Sequence, residues 1–283
     1  MVLTNLMLSQ ILSDVKTGVS DLMDFMAVGN DTTTPAASDT VIGKEVFRDA
    51  PDEVDTSVAN AVTSSLRIAT TEANSNAIAV VGVISANDVQ IDSCDVTTNW
   101  TDSADMTLST NSNTYRENGI ALNLTKDAGA SATASTSKTT TSADFTSKTF
   151  SMWLYIVDAT MLAKLATTDC LTIRFGSDAS NYYQWTKDAA DLAVGWNYIT
   201  SLTSSNADST TGSPSLTAMD YTYIGITATG AAITWSAGDL IMDDIKLTSG
   251  TLYTEHTFTA INKTDDIQVY LDTQITILVT EGS

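Results

Sequence analysis

The stretch from Asp92 to about Leu247 constrains the fold more than any other part of the chain. It is a succession of short segments rich in Val, Ile, Leu, Thr and aromatic residues, parted by Ser/Thr/Asn/Gly turns. The segments fall at residues 120–124, 149–156, 170–175, 182–186, 196–202, 221–227 and 240–247. Strands of this length, repeatedly interrupted by turn residues, build antiparallel sheets, and several in succession build a two-sheet sandwich or jelly roll. The abundant Thr fits both parts of the pattern, because its branched Cβ suits a pleated strand and its hydroxyl suits a turn. Residues 127–137 are low-complexity Gly/Ala/Ser/Thr and read as an exposed loop. Residues 203–214 have a similar character, and 138–149 read as a turn-rich approach to a strand.

The flanks have a different style. Over residues 3–26, Leu3, Leu6, Met7, Ile11, Leu12, Val15, Val19, Leu22, Met23 and Met26 recur at three- and four-residue steps, with Asp14, Asp21 and Asp24 between them. This predicts one amphipathic helix, packed on its own domain or docked on a partner or symmetry mate. Residues 29–35 carry turn signals. Residues 58–70 read as a strand with Val58, Val62, Leu66 and Ile68 as core positions, and 77–84 as a buried strand. Near the C-terminus Ile267, Val269 and Leu271, then Ile275, Ile277 and Val279, give the clearest period-2 signal in the chain.

The charge excludes several functions. With 13 basic residues against 34 acidic ones, the net charge is −21. Such a surface repels phosphate backbones, so no nucleic-acid partner is expected. No apolar run is long enough to span a bilayer, and none is expected to insert. The N-terminus lacks a basic region followed by a continuous apolar stretch, so no signal peptide is expected. Cys94 and Cys170 have no CxxC companion and imply no zinc site; buried thiols and a disulfide both stay open. His256 is the single histidine, and neither a P-loop nor a GxGxxG is present. The acidic residues show no paired-carboxylate cleft signature, so no enzymatic activity is expected.

Two resemblances add to this reading. Met26-Ala27-Val28-Gly29, Ser38-Asp39-Thr40, Gly43-Lys44-Glu45-Val46-Phe47-Arg48, Thr71-Glu72-Ala73-Asn74 with Val81-Gly82-Val83, and 258–269 (Phe258 to Val269) resemble a structural domain of tailed-phage proteins of tail-fibre or head-decoration type. In that domain the two parts lie close in sequence, whereas here more than half the chain separates them. The resemblance therefore implies an insertion, which is well tolerated at an exposed hairpin tip. The second resemblance covers about 92–249. Residues 150–156, 171–177, Asn181-Tyr182-Tyr183, Gly195-Trp196-Asn197 and 241–247 resemble carbohydrate-binding modules of the jelly-roll or galactose-binding-like kind. It implies a two-sheet sandwich and, in many relatives, a structural calcium ion near the first and last strands. The expected fold is then mainly β: an N-terminal α-helix (1–28), and a small β platform (29–91 plus 251–283) interrupted by an antiparallel β-sandwich (92–250).

Sugar rings stack on flat aromatic faces while Asn, Asp, Gln and Arg bond their hydroxyls. Trp153, Tyr155, Tyr182, Tyr183, Trp185, Trp196 and Trp235 supply the aromatics. Strand alternation sends Tyr183 and Trp185 to one face, and Tyr182 and Gln184 to the other; one of these faces must be core. The residues expected to be partly exposed as a carbohydrate platform are Tyr182, Trp185 and Trp235, with Arg174 and Asn181 as polar neighbours. Adjacent Asp243 and Asp244 should point to opposite faces, one into the sandwich edge and one to solvent. A buried carboxylate needs a partner, which Ca2+ would supply with Asp92 and Asp95 as further ligands; two solvated turn carboxylates are the alternative.

The functional expectation is a virion structural protein on the outer surface of a head or tail. It would form a homo-oligomer, with a trimer as the expected state, contact other virion proteins, and display the sandwich to host-surface polysaccharide. The alternative is a purely architectural capsid decoration, turret or baseplate protein without glycan binding.

Overall fold

In the computed structural model the described residues are 13–14, 16–18, 20, 23–36, 42–57, 61–86 and 88–276. They form two compact units, one built from residues up to Thr70 with Asn76–Ala86 and from Gly250 on, the other from Thr71–Ser75 with Asn87–Ser249. The chain is mainly β.

In the first unit the strands are β1 (Phe25–Gly29), β2 (Glu45–Asp49), β3 (Glu53–Asp55), β4 (Ala61–Ile68) and β5 (Ala77–Ala86). In the second they are β6 (Val89–Asp92), β7 (Trp100–Asp102), β8 (Met106–Asn111), β9 (Ala121–Lys126), β10 (Thr133–Ala143), β11 (Thr149–Ile156), β12 (Leu171–Asp178), β13 (Asn181–Lys187), β14 (Gly195–Leu202), β15 (Ser209–Thr211), β16 (Met219–Thr227) and β17 (Leu240–Thr248), with a one-turn helix α1 (Ala159–Leu162) after β11. The chain then returns to the first unit with β18 (Gly250–Asn262) and β19 (Val269–Thr276).

The first unit holds a four-stranded antiparallel sheet, β18-β5-β1-β2, and a three-stranded one, β19-β4-β3. Met26, Ala27 and Val28 are fully buried in β1, and Val62, Leu66 and Ile68 in β4. The helical reading of 3–26 therefore ends too late. Helix is present at residues 13–14, 16–18 and 20, but Phe25 and Met26 belong to a strand, where pairing with β2 and β5 overrides the helical spacing. Most of the expected helix, including Leu3 to Leu12, lies outside the described residues, as do Val58, Ile277 and Val279. Ile267 closes a turn onto Thr264 ahead of β19 and is partly exposed.

The second unit is an antiparallel β-sandwich. One sheet runs β15-β13-β12-β16-β10-β7; the other runs β14-β11-β17-β9-β8, with β6 beside β17. Phe150, Met152, Leu154 and Ile156 of β11 and Met242, Ile245 and Leu247 of β17 pack against Leu171, Ile173 and Phe175 of β12 and Ile224 and Ile226 of β16. Each is nearly or fully removed from water, which contributes roughly 1.5–3 kcal/mol per side chain. Strands occur within the segments read as loop or turn: β10 crosses from 127–137 into 138–149, and β15 lies within 203–214. Ala134 and Thr136 of β10 face the core, and β10 pairs with both β16 and β7. Small and hydroxyl side chains fill that part of the sandwich, so no hydrophobic alternation marks it.

Candidate functional site

Both sheets carry aromatic residues on their outward faces, and what covers each face decides which can meet a ligand. On the β14-β11-β17 sheet, Trp153 and Tyr155 of β11 stand beside Tyr198 and Trp196 of β14. The ring centroids are 4.6 Å apart for Trp153 and Tyr198, and 5.2 Å for Tyr155 and Trp196. This face is capped. The Arg116 guanidinium lies 4.4 Å above the Trp153 ring and pairs with Glu72. The Trp196 N–H donates to the Thr71 carbonyl at 2.6 Å, and the Asn74 amide donates to the Val194 carbonyl at 3.0 Å. Glu72, Ala73 and Asn74 are themselves buried, as are Trp153 and Trp196. Gly195 makes the approach feasible: a Cβ there would sit 2.3 Å from the Thr71 carbonyl oxygen, and its φ of 95° suits glycine.

The outward face of the other sheet is open. Register places Tyr182 and Gln184 of β13, Arg174 and Gly176 of β12, Tyr221 and Tyr223 of β16, and Ser137 of β10 side by side on it. All three tyrosines, Arg174 and Gln184 are half-buried, so each keeps part of its surface in water. The Arg174 guanidinium carbon lies 4.7 Å from the Tyr182 ring centroid and 4.5 Å from that of Tyr223. Its Nε donates to Gln184 Oε1 at 2.8 Å. Two rings and one hydrogen bond thus hold a charged, planar group in place. Tyr223 leans over Gly225, where a Cβ would fall 2.8 Å from its ring, and Gly176, paired in register with Tyr182 and Tyr221, is closely packed: a Cβ there would fall 2.2 Å from the Asn181 carbonyl oxygen. Partial burial raises the Tyr221 hydroxyl above its ordinary range, with Ser137 bonded to it. Flat aromatic surface, a fixed guanidinium, an amide and hydroxyls are the groups that hold sugar rings.

The expected platform residues separate on inspection. Tyr182 and Arg174 belong to the open face. Trp185 does not: it is 3% exposed in the core, stacked against Phe150 at 6.4 Å. Its indole N–H donates to Thr203 O at 3.2 Å and Asn206 Oδ1 at 3.1 Å. Trp235 is also 3% exposed, and its indole N–H donates to the Leu124 carbonyl at 2.6 Å. Neither tryptophan can serve as a sugar platform; the large apolar rings are the ones the sandwich buries. Asn181 is committed to its hairpin, donating to both Asp178 carboxylate oxygens and accepting from the Ser213 N–H. Tyr221, Tyr223 and Gln184 were missing from the expected platform. The signal for them was the Tyr221-Thr222-Tyr223 alternation, which puts both rings on one face of a strand already anticipated at 221–227.

Two of the four carboxylates expected to hold a cation, Asp92 and Asp244, are paired with lysines. Neither Asp243 nor Asp244 reaches solvent, because Asp244 sits at a bulge with φ of 50° opposite β11. Lys246 Nζ pairs with Asp244 at 2.8 Å, and Lys138 Nζ with Asp92 at 2.5 Å. Ammonium groups thus take two of the carboxylates a dication would need. Asp243 Oδ2 accepts from the backbone N–H groups of Arg116 at 2.7 Å and Glu117 at 3.1 Å. Oδ1 atoms of Asp95, Asp243 and Asp244 are buried without a hydrogen-bond partner, yet no three acidic, cysteine or histidine side chains converge as a metal set among the described residues. Burial pushes the Asp243 carboxyl up to about 7.

Cys94 and Cys170 are buried free thiols. Burial, reinforced by Asp92, Asp243 and Asp244, raises the Cys94 thiol far above its ordinary range; burial, with Asp188 adding to it, raises Cys170 to about 11. Thiolates are the reactive form. The native protein is therefore expected to react with an aromatic disulfide reagent at pH 8 at least tenfold more slowly than the urea-unfolded protein, in which both thiols titrate.

No protein-family model matches the sequence, and no curated protein sequence does. Among solved structures the chain is similar to a family 11 carbohydrate-binding module from Clostridium thermocellum in complex with a β-1,3-1,4-mixed-linked tetrasaccharide, at 13% identity over 56% of this chain and 94% of that one, TM-score 0.39. It is similar to a xylan-binding domain of family 22, at 11% identity over 58% of this chain and 94% of that one, TM-score 0.30. It is also similar to the enzymatically active domain of tailspike protein 4 of bacteriophage CBA120, at 13% identity over 56% of this chain and 20% of that one, TM-score 0.32. Likenesses this distant assign no ligand; only the chemistry of the open face speaks to one.

Proposed function

We propose that the chain is a non-catalytic glycan-binding protein that holds sugar rings on the open face of its β-sandwich, and that it does so as a structural protein of a tailed virus particle. One observation carries the glycan reading. Tyr182, Tyr221 and Tyr223 share an outward face with Arg174 and Gln184 and keep surface in water, while Trp153, Trp185, Trp196 and Trp235 are buried. A purely architectural sandwich has no need to hold a guanidinium between two half-exposed tyrosines. The particle assignment is supported by the split structural-domain resemblance over 26–48, 71–83 and 258–269. Many copies on one particle would make weak single sites sufficient.

The test is calorimetric titration and affinity electrophoresis of the full chain against a glycan panel and host-envelope polysaccharide, together with immunolabelling of intact particles. Tyr223→Ala is expected to weaken binding at least tenfold, or about 1.4 kcal/mol, with little change in melting temperature. Saturable binding that Tyr223→Ala leaves untouched would move the site off this face. A folded protein that binds no glycan would leave the architectural role in front.

A further inference from the structure

Taking the glycan reading as given, we propose that the recognised sugar carries an anionic substituent, carboxylate or sulfate, and that Arg174 is the residue that reads it. Acidic residues outnumber basic ones 34 to 13, so a carboxylate is easy to find. Three nearly buried cations of the sandwich take one: Arg116 pairs with Glu72, Lys138 with Asp92 and Lys246 with Asp244. In the other unit Arg48 pairs with Glu45. Buried Lys126 instead donates to the carbonyls of Asp127 and Ala231.

Arg174 takes none: it is half-buried, its side chain bonds from Nε to Gln184, and among the described residues no carboxylate lies within ion-pair distance of it. The positions that flank it on the same face are Tyr182, Gln184, Tyr221, Tyr223, Gly176 and Ser137, none of them acidic. The two tyrosine rings lie against the guanidinium, so what remains for a ligand is the in-plane edge bearing the two terminal amino groups. That edge offers parallel N–H donors, which match two oxygens of one carboxylate or sulfate better than they match separate hydroxyls. Partial removal from water makes the charge more effective at short range than a surface lysine. The strongly negative chain repels a polyanion at long range, but beyond about 8 Å that repulsion is screened at physiological salt, while contact with Arg174 is not.

The experiment uses the full chain at about 0.15 M salt, where this screening holds. A carboxylated polymer (polygalacturonate) is compared with its carboxyl-reduced form, and a sulfated polymer (carrageenan) with its desulfated form. Neutral xylan and mixed-linkage glucan complete the panel. One charged polymer is expected to bind at least tenfold more tightly than its neutralised counterpart, and which pair shows the difference identifies carboxylate or sulfate. Arg174→Gln, which keeps hydrogen-bonding groups and loses the charge, is expected to abolish that preference while leaving residual binding through the tyrosines. Arg174→Lys should retain only part of it, and Lys187→Gln, an equal loss of charge away from the face, all of it. Equal binding of charged and neutralised polymers, or a preference that survives Arg174→Gln, overturns the anionic assignment and leaves the glycan reading standing. Absence of binding to every polymer overturns both.

Discussion

Trp185→Ala is expected to destabilise the sandwich by about 3–5 kcal/mol, the range for deleting a large aromatic side chain from a packed core. The ring lies between Phe145, Phe150 and Tyr183, with centroid distances of 6.2, 6.4 and 6.3 Å. Its removal opens a cavity that strands on both sheets line and cannot readily fill. It also removes the indole N–H shared by the Thr203 carbonyl and Asn206 Oδ1, each of which keeps one backbone N–H donor. Chemical unfolding monitored by tryptophan fluorescence and circular dichroism measures the effect. The informative comparison is with Tyr223→Ala, which should cost well under half as much because the ring is half-exposed. Trp185→Ala should therefore fail as a protein, and Tyr223→Ala fail only as a binder. A Trp185→Ala protein of wild-type stability that has lost glycan affinity would reverse the two roles and return the binding surface to the other face of β13.

That pair of residues also marks how far the sequence could be read. Alternation alone separates Tyr182 from Trp185, and the strand at 149–156 has the same bounds in the structure, because Phe150, Met152, Leu154 and Ile156 repeat at period 2. Periodicity does not say which face of a strand is core when both faces carry aromatics. That depends on partners from elsewhere in the chain: here Thr71–Ser75, far from β14 in sequence, closes one face and leaves the other sheet's tyrosines open. β10 was illegible for a different reason. A strand of Thr, Ser and Ala has no hydrophobic rhythm, and its identity comes from the neighbours that pair with it. The acidic residues were legible as a group, but their partners were not. Lys138 and Lys246 lie in β10 and β17, and only the folded register brings Lys138 to Asp92. A cluster of carboxylates in sequence therefore pointed to a metal, where the fold gives Asp92 and Asp244 ammonium partners.

The raised Asp243 carboxyl makes a prediction of its own, with Asp243→Asn as the probe. The Asp243 carboxyl is fully removed from solvent, and burial, with Asp244 adding to it, raises it to about 7. In the unfolded chain it returns to about 3.9. The folded state therefore holds this proton more tightly. Its contribution to stability is fully present below about pH 4, and is lost as the pH rises through 7. At about 1.4 kcal/mol per pH unit the loss is at most about 4 kcal/mol, and structural relaxation reduces it. Asparagine keeps an oxygen to accept from the Arg116 and Glu117 N–H groups but carries no charge at any pH. The charged groups around the site are Arg116, Glu72, Glu117, Asp244, Lys246 and, through Cys94, Asp92 and Lys138. They remain in both proteins, so the difference between the two stability curves isolates Asp243. Carboxylates held below their ordinary range, such as Asp31, Asp55, Asp144 and Asp178, titrate in more acidic solution and do not interfere. Urea midpoints measured from pH 5 to 8.5 should fall for the wild-type protein and stay nearly level for Asp243→Asn, leaving the variant the more stable of the two above pH 7.5. Parallel curves would mean that Asp243 is already ionised in the fold, and that its buried Oδ1 has a cationic partner after all.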